Sequence, residues 1–279
     1  MRVDLYPSSQ LGSKDNIIDQ AVNGDCVITL ANGPFFQDRG IQDFGVLFAP
    51  YLFEGWEDVE KVVNSEWFDK KAAELEENVG LKILTTWRYG IRHTITRKPV
   101  NQVSDLKGKK IRVQQSPASV AMANAFGAAA APMGFGEVYT AIQQGVIDGA
   151  ENNELALTNN KHGEVAKYYT YNKHQMVPDM LVANLKFLNS LSPEEYQVFK
   201  EAAQKSTEVE LEEWDKSIDE AKKIATDDMG VEFIDVDVNA FKQKVLPLHE
   251  KMLNENPKIR DLYEHIQEAN EAAAGKEGK

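Results

Sequence analysis

After Pro193 the chain runs to Met229 without a glycine or proline, and the stretch ends only at Gly230. It opens on Ser192-Pro193-Glu194-Glu195, the signature of a helix N-terminus. A hydroxyl can cap, a proline loses nothing by lacking an N–H in the first turn, and a glutamate follows three residues on. As one helix, about 36 residues at about 1.5 Å each reach about 55 Å, longer than a small domain is wide. Its apolar residues, Tyr196, Phe199, Val209, Trp214, Ile218 and Ile224, are sparse and keep no heptad, which argues against a coiled-coil arm. What remains is a helix lying across two lobes in turn, its acidic residues forming a solvated face. A chain of 279 residues has room for two such lobes.

The first half alternates short strand and helix patterns, as α/β folds do. Strands are expected at Val3–Tyr6, Cys26–Leu30, Leu81–Thr85, Ile91–Thr96, Lys110–Val113 and Val146–Asp148. Ser13 can cap a helix whose Ile17, Ile18, Ala21 and Val22 share one face, with Gly24 as its stop. Further helices are expected around 59–63 and 67–75, stopped by Gly80, and around 119–126 and 137–144. In the second half Met176–Leu185 reads as an extended run broken by Pro178. The last six residues, from Ala274, read as a frayed tail.

Charge and motifs then exclude functions. With 31 basic against 44 acidic residues the net charge is -13, which disfavours nucleic acid and anionic membrane surfaces as partners. The one cysteine, Cys26, cannot form an internal disulfide and sits in an apolar run as a small core residue. No stretch reaches the roughly 18 apolar residues of a membrane span, and Arg2-Val3-Asp4 after Met1 is not a secretory leader. There is no P-loop, dinucleotide fingerprint, nucleophile elbow or zinc-protease helix. The five histidines lack metal-ligand spacing, and most read as ordinary surface or packing residues.

One region stands out. Leu106–Val113, Pro132–Tyr139 and Gly145–Asn153 each carry an apolar core run into a polar group, and in open α/β sheets ligands collect at such ends. Arg112 lies between Ile111 and Val113, where an unpaired guanidinium is costly to bury. It either reaches solvent at the strand end or meets an anion. Asn152-Asn153 is either a turn or a pair of ligand contacts.

These motifs, with Tyr6-Pro7-Ser8-Ser9-Gln10-Leu11-Gly12 and Pro50-Tyr51-Leu52-Phe53, resemble the solute receptors of tripartite ATP-independent periplasmic (TRAP) transporters over essentially the whole chain. The resemblance implies an α/β fold: a two-lobed periplasmic-binding-protein-like clamshell with crossing hinge strands and a long bridging helix. The expected lobes are 1–89 plus 178–217, and 90–177 plus 218–279. It implies that Arg112 holds a ligand carboxylate as a bidentate pair, the contact a planar guanidinium suits best. Arg92, in Gly90-Ile91-Arg92, is the second arginine of that clamp. Asn152 bonds the carboxylate, and Phe135 supplies an apolar wall. Asn32 and Asn153 are left to read hydroxyls. Asn32 stands where sialic-acid receptors carry an acidic residue, which argues against sialic acid; Glu151-Asn152-Asn153 and Trp87-Arg88-Tyr89 point to a sugar acid such as a uronate. Membrane subunits of a transporter, an extracytoplasmic location and no metal or cofactor follow. Receptors of this kind begin with a strand and helix of roughly 30 residues before the Tyr-Pro-Ser segment, so the expectation is a shortened form of a longer protein. Two rivals are a receptor presenting ligand to a membrane sensor kinase, and a lyase with Glu137 or Glu151 as base.

Overall fold

The computed structural model describes residues 2–7, 9–264, 266 and 267; the expected frayed tail lies outside them. Its frame is a seven-stranded sheet: β1 (Ile28–Ala31), β2 (Leu81–Thr96), β3 (Lys110–Val113), β4 (Ala129–Pro132), β5 (Gly149–Asn152), β6 (Tyr168–Asn184) and β7 (Glu232–Ile234). The order is β1-β6-β2-β5-β3-β4, with β7 also paired to β6. At one end β1, β6 and β2 run antiparallel; at the other β3 lies parallel to both β4 and β5. The long β2 and β6 belong to both ends. Apolar packing follows the same division. One cluster, including Ile18, Phe36, Leu75 and Val182, covers the β1 end. Two others, around Val113 and Phe241 and around Ile142 and Tyr169, cover the two faces of the β3–β5 end. The chain is a two-lobed clamshell whose lobes share their crossing strands.

Several elements differ from expectation. Val3–Tyr6 forms no strand and lies exposed; it pairs with nothing among the described residues, and unpaired extended chain has no ladder bonds to offset its entropy. Cys26 precedes β1 and is only half-buried. The two expected strands 81–85 and 91–96 are one, and the run from Met176 extends back to Tyr168 and continues through Pro178. The two apparent breaks meet each other. Pro178 faces Arg88, and the register slips between Arg88 and Ile91, so the bulge sits beside the residue that cannot donate to a ladder. Val146–Asp148 is a turn, and β5 starts at Gly149 instead. A Cβ on Gly149 would lie 2.1 Å from the Ile95 carbonyl oxygen, so only glycine lets β5 approach β2 there.

The long helix is present as Pro193–Asp227, with Ser192 and Glu195 in a reciprocal capping box. It passes over the crossing strands. Thr207 Oγ1 lies 2.6 Å from Thr85 Oγ1, and Glu210 accepts from the Arg88 N–H. Further along, Ala225 enters the core around Tyr169 in the second lobe. Trp214 packs on the bulge: Gly90 has φ +72, and a Cβ there would stand 2.6 Å from the indole. Gly90→Ala is therefore expected to cost about 1–3 kcal/mol through left-handed backbone and a displaced Trp214. A melting temperature equal to the wild type's would show the bulge to be loosely held. The helix Val238–Glu255 also changes lobes: its Phe241 and Val245 join the core around Val113, whereas Leu253 near its end, and Ile259, Leu262 and Ile266 in the segment after it, join the first cluster.

Candidate functional site

Strand alternation decides where Arg112 points. Ile111 and Val113 on either side of it belong to the core around Phe241, so Arg112 projects to the opposite face of β3. There it is buried, 4% exposed. Its Nε and one terminal nitrogen donate to the Met133 carbonyl at 3.0 and 2.8 Å, and the guanidinium lies 5.5 Å from the centre of the Phe135 ring. No carboxylate stands within salt-bridge distance of it among the described residues. Burial, reinforced by the nearby Arg92 charge, lowers its pKa to about 10, so it stays a cation at neutral pH. His162 packs edge-on against Phe135; burial and Arg112 hold that imidazole down at about 4, hence neutral.

Arg92 is the contrasting case. It is 1% exposed and fully engaged by β5 beside it. It donates to both Glu151 carboxylate oxygens at 2.6 and 2.9 Å, to the Glu151 carbonyl at 3.1 Å and to Asn152 Oδ1 at 3.3 Å. Burial alone raises the Glu151 carboxyl, but the Arg92 charge and the His174 contact more than offset this and bring it down to about 2. The expected second fork for a ligand is thus already bound to a protein carboxylate. Arg92 reaches the site through Asn152, whose oxygen it fixes as an acceptor. Because Asn152 Oδ1 also accepts from the Asn153 N–H, the Nδ2 group of Asn152 is the end left to donate elsewhere.

The same geometry disposes of Glu151 as a general base, since a base held as the partner of a buried arginine is not poised near neutral pH. Glu137 is exposed and accepts the Gly134 N–H. Among the described residues no group of three or more histidine, cysteine or acidic side chains could hold a metal ion. Nor is any helix among them long and apolar enough to cross a membrane.

Asn153 departs from expectation. Its side chain donates to the Tyr89 carbonyl at 2.8 Å and accepts from the Leu155 N–H at 3.1 Å, so it ties the bulge to a turn with both polar ends used. Asn32 does face another lobe. It occupies the N-cap position of the short helix Gly33–Gln37 without making a cap bond. Instead its Oδ1 accepts from Gln114 Nε2 at 3.1 Å. Gln114 is two residues beyond Arg112 and therefore on the same side of the chain. The backbone behind Asn32 is held closely, because a Cβ on Gly33 would meet the Phe44 carbonyl oxygen at 2.1 Å.

No histidine stands out in the sequence, yet His174 lies buried against Glu151 at 3.3 Å. Gln114 and His162 were also missed: no spacing rule points to single amides or rings whose partners lie far along the chain.

Comparison with known proteins places this geometry among relatives. The family described as bacterial extracellular solute-binding protein, family 7 (DctP), matches residues 1–256. An uncharacterized protein of Salmonella typhimurium, YiiZ, is 34% identical over 270 residues, covering 96% of this chain and 82% of its own. A TRAP periplasmic solute-binding protein from Anaerococcus prevotii, solved with bound D-glucuronate, shares 41% identity at a TM-score of 0.88, covering 96% of this chain and 87% of that one. Another from Sulfitobacter, solved with bound β-D-galacturonate, shares 31% identity at a TM-score of 0.86, covering 91% and 84%.

Proposed function

This chain belongs to the bacterial extracellular solute-binding proteins of family 7, and from that premise we propose that it is the receptor of a TRAP transporter for a monocarboxylate sugar acid of the uronate class. The observation that carries the proposal is Arg112, a buried cation with no protein carboxylate within salt-bridge distance among the described residues. Burying an ion without a counter-charge costs several kcal/mol, and a ligand carboxylate on its open edge supplies that charge. Asn152 Nδ2 donates to the same carboxylate, Phe135 closes the apolar side, and Asn32 with Gln114 offers amides to hydroxyls. The uronates bound by the Anaerococcus and Sulfitobacter proteins support the ligand class. The chain binds and releases its ligand unchanged: of the two candidate bases, Glu151 is held by Arg92 and Glu137 is exposed and accepts the Gly134 N–H, and neither is bonded to a hydroxyl or thiol nucleophile among the described residues. We divide the lobes at the crossing strands, 1–89 plus 178–217 against 90–177 plus 218 onward, with the segment from Leu253 returning to lobe one. The protein works outside the cytoplasm, and its closed form is what the membrane subunits recognise.

A thermal-shift screen of uronates, aldonates, dicarboxylates and keto acids tests the ligand class. D-glucuronate or D-galacturonate should raise the melting temperature most, since a ligand stabilises only the state it binds. No shift with any hydroxy acid overturns the reading. Small-angle scattering tests the motion: a cleft gives contacts on both sides only when shut, so ligand shifts the population toward the closed form. The radius of gyration should fall on adding D-glucuronate, and an unchanged curve at saturation would mean a rigid site.

A further inference from the structure

The bulge at Gly90 has a second effect, on which side chains share a face. Gln175 and Asp179 lie four apart on β6 and so project to the same side. Their cross-strand partners are Arg92 and Trp87. Arg92 and Trp87 are five apart and would point oppositely on a regular strand; the extra residue of the bulge brings them to one side. This face therefore carries the Arg92 that fixes Asn152, and beside it three hydrogen-bonding atoms without a partner among the described residues. They are Asp179 Oδ1, Gln175 Oε1 and Trp87 Nε1. Buried polar groups are rarely left so, and each unsatisfied one calls for a reason.

Asp179 is the most demanding of the three. It is 2% exposed, and among the described residues the other oxygen of its carboxylate meets only Lys14 Nζ, at 3.6 Å. Burial pushes its carboxyl above the ordinary range while Lys14 and Arg92 draw it back. An ionised carboxylate only accepts hydrogen bonds, so whatever completes Asp179 must donate. A hydroxyl does so at no cost in charge. A second ligand carboxylate would bring like charges together in a buried site.

Resting on the sugar-acid reading above, we propose that Asp179, with Trp87 Nε1 opposite it, is the hydroxyl-recognising pole of the cleft, and that it selects polyhydroxy monocarboxylates against dicarboxylates. Arg112 takes the one carboxylate; Asp179 accepts an O–H from the far part of the same ligand, and the indole N–H donates to a neighbouring hydroxyl.

Titration calorimetry with D-glucuronate, D-galacturonate and the corresponding six-carbon dicarboxylates, glucarate and galactarate, tests this. The wild type should prefer each uronate over its dicarboxylate at least about tenfold, and Asp179→Asn should weaken uronate binding about ten- to hundredfold, the range for a hydrogen bond to a charged group. The preference should shrink or invert in that variant, because the dicarboxylate no longer meets an anion. A folded Asp179→Asn with an unchanged preference overturns the proposal alone. A wild type that binds neither uronate refutes the sugar-acid reading and this proposal with it. Should Asp179→Asn fail to fold, Trp87→Phe decides, since it keeps a packed ring and removes only the N–H. An about three- to tenfold loss of uronate affinity supports the proposal; an unchanged affinity overturns it.

Discussion

Arg112→Ala is expected to weaken uronate binding by about 30- to several-thousandfold, the 2–5 kcal/mol typical of removing one partner of a buried charge pair. Arg112→Lys should be nearly as poor, because a point charge cannot replace a planar fork facing two oxygens. The stability of the ligand-free protein should move the other way or hardly at all. In the wild type the guanidinium contacts a carbonyl and a ring, with no carboxylate in salt-bridge distance among the described residues, so deleting it relieves a desolvation cost. The two measurements together are diagnostic. Calorimetry should show the lost affinity, circular dichroism an intact fold, and thermal melts a ligand-induced shift that disappears while the ligand-free midpoint holds. Near-native affinity in a folded Arg112→Ala would sink the assignment of this residue to the carboxylate.

Glu151→Gln should do the reverse, damaging the fold before the site. Arg92 would keep its charge at 1% exposure without its carboxylate, and Arg112, whose charge already acts on it, would become an uncompensated neighbour. Breaking such a pair from one side costs about 3–5 kcal/mol, against a total of about 5–15 kcal/mol for ordinary proteins. The melting temperature should fall by on the order of 10 °C. The pH dependence has a definite sign. The carboxyl is lowered from an ordinary 4.5 to about 2 in the folded protein, so its contribution is complete above about pH 4.5. It is lost as pH falls toward 2. Wild type and Glu151→Gln should therefore differ most at neutral pH and converge in acid. Equal stabilities at pH 7 would mean that the pair contributes nothing net.

Which features were legible in the sequence follows from how local their signals are. The bridging helix announced itself through the lack of breakers after Pro193, the helix after Ser13 through its cap and its stop at Gly24, and the helix ending at Val79 through its apolar pattern and its stop at Gly80. Arg112 was readable because a guanidinium between Ile and Val needs an explanation. The continuity of β2 and β6 was hidden, since Tyr89-Gly90 and Pro178 each look like the end of a strand. Only their meeting across the ladder makes them a single bulge. Glu151 stayed open as a base in the rival lyase reading because its partner Arg92 lies on another strand. Asn153 read as a ligand contact because the Tyr89 carbonyl that claims it is equally remote. Asp179 gave no signal at all: an aspartate after a proline is ordinary, and what sets it apart is the lack of a partner in three dimensions.

The shared strands bear also on how the molecule comes into being. Ile28 pairs with Ala183, and Ile91 with Met176; the Pro50 carbonyl meets His249, and Ile266 packs into the cluster that contains Ile18. Neither lobe is an unbroken piece of chain. Multidomain proteins usually fold one domain after another as synthesis proceeds, the N-terminal one first, but that order is closed to this protein. When synthesis has passed residue 100, β1 and β2 exist without the strand that lies between them. The edge pair closes only once β6 has emerged, and the core of lobe one only once Leu253, Ile259, Leu262 and Ile266 are available. Contacts so distant in sequence impose a loop-closure cost before they return any stability. Both lobes therefore complete their cores late in synthesis, from strands and turns far apart along the chain.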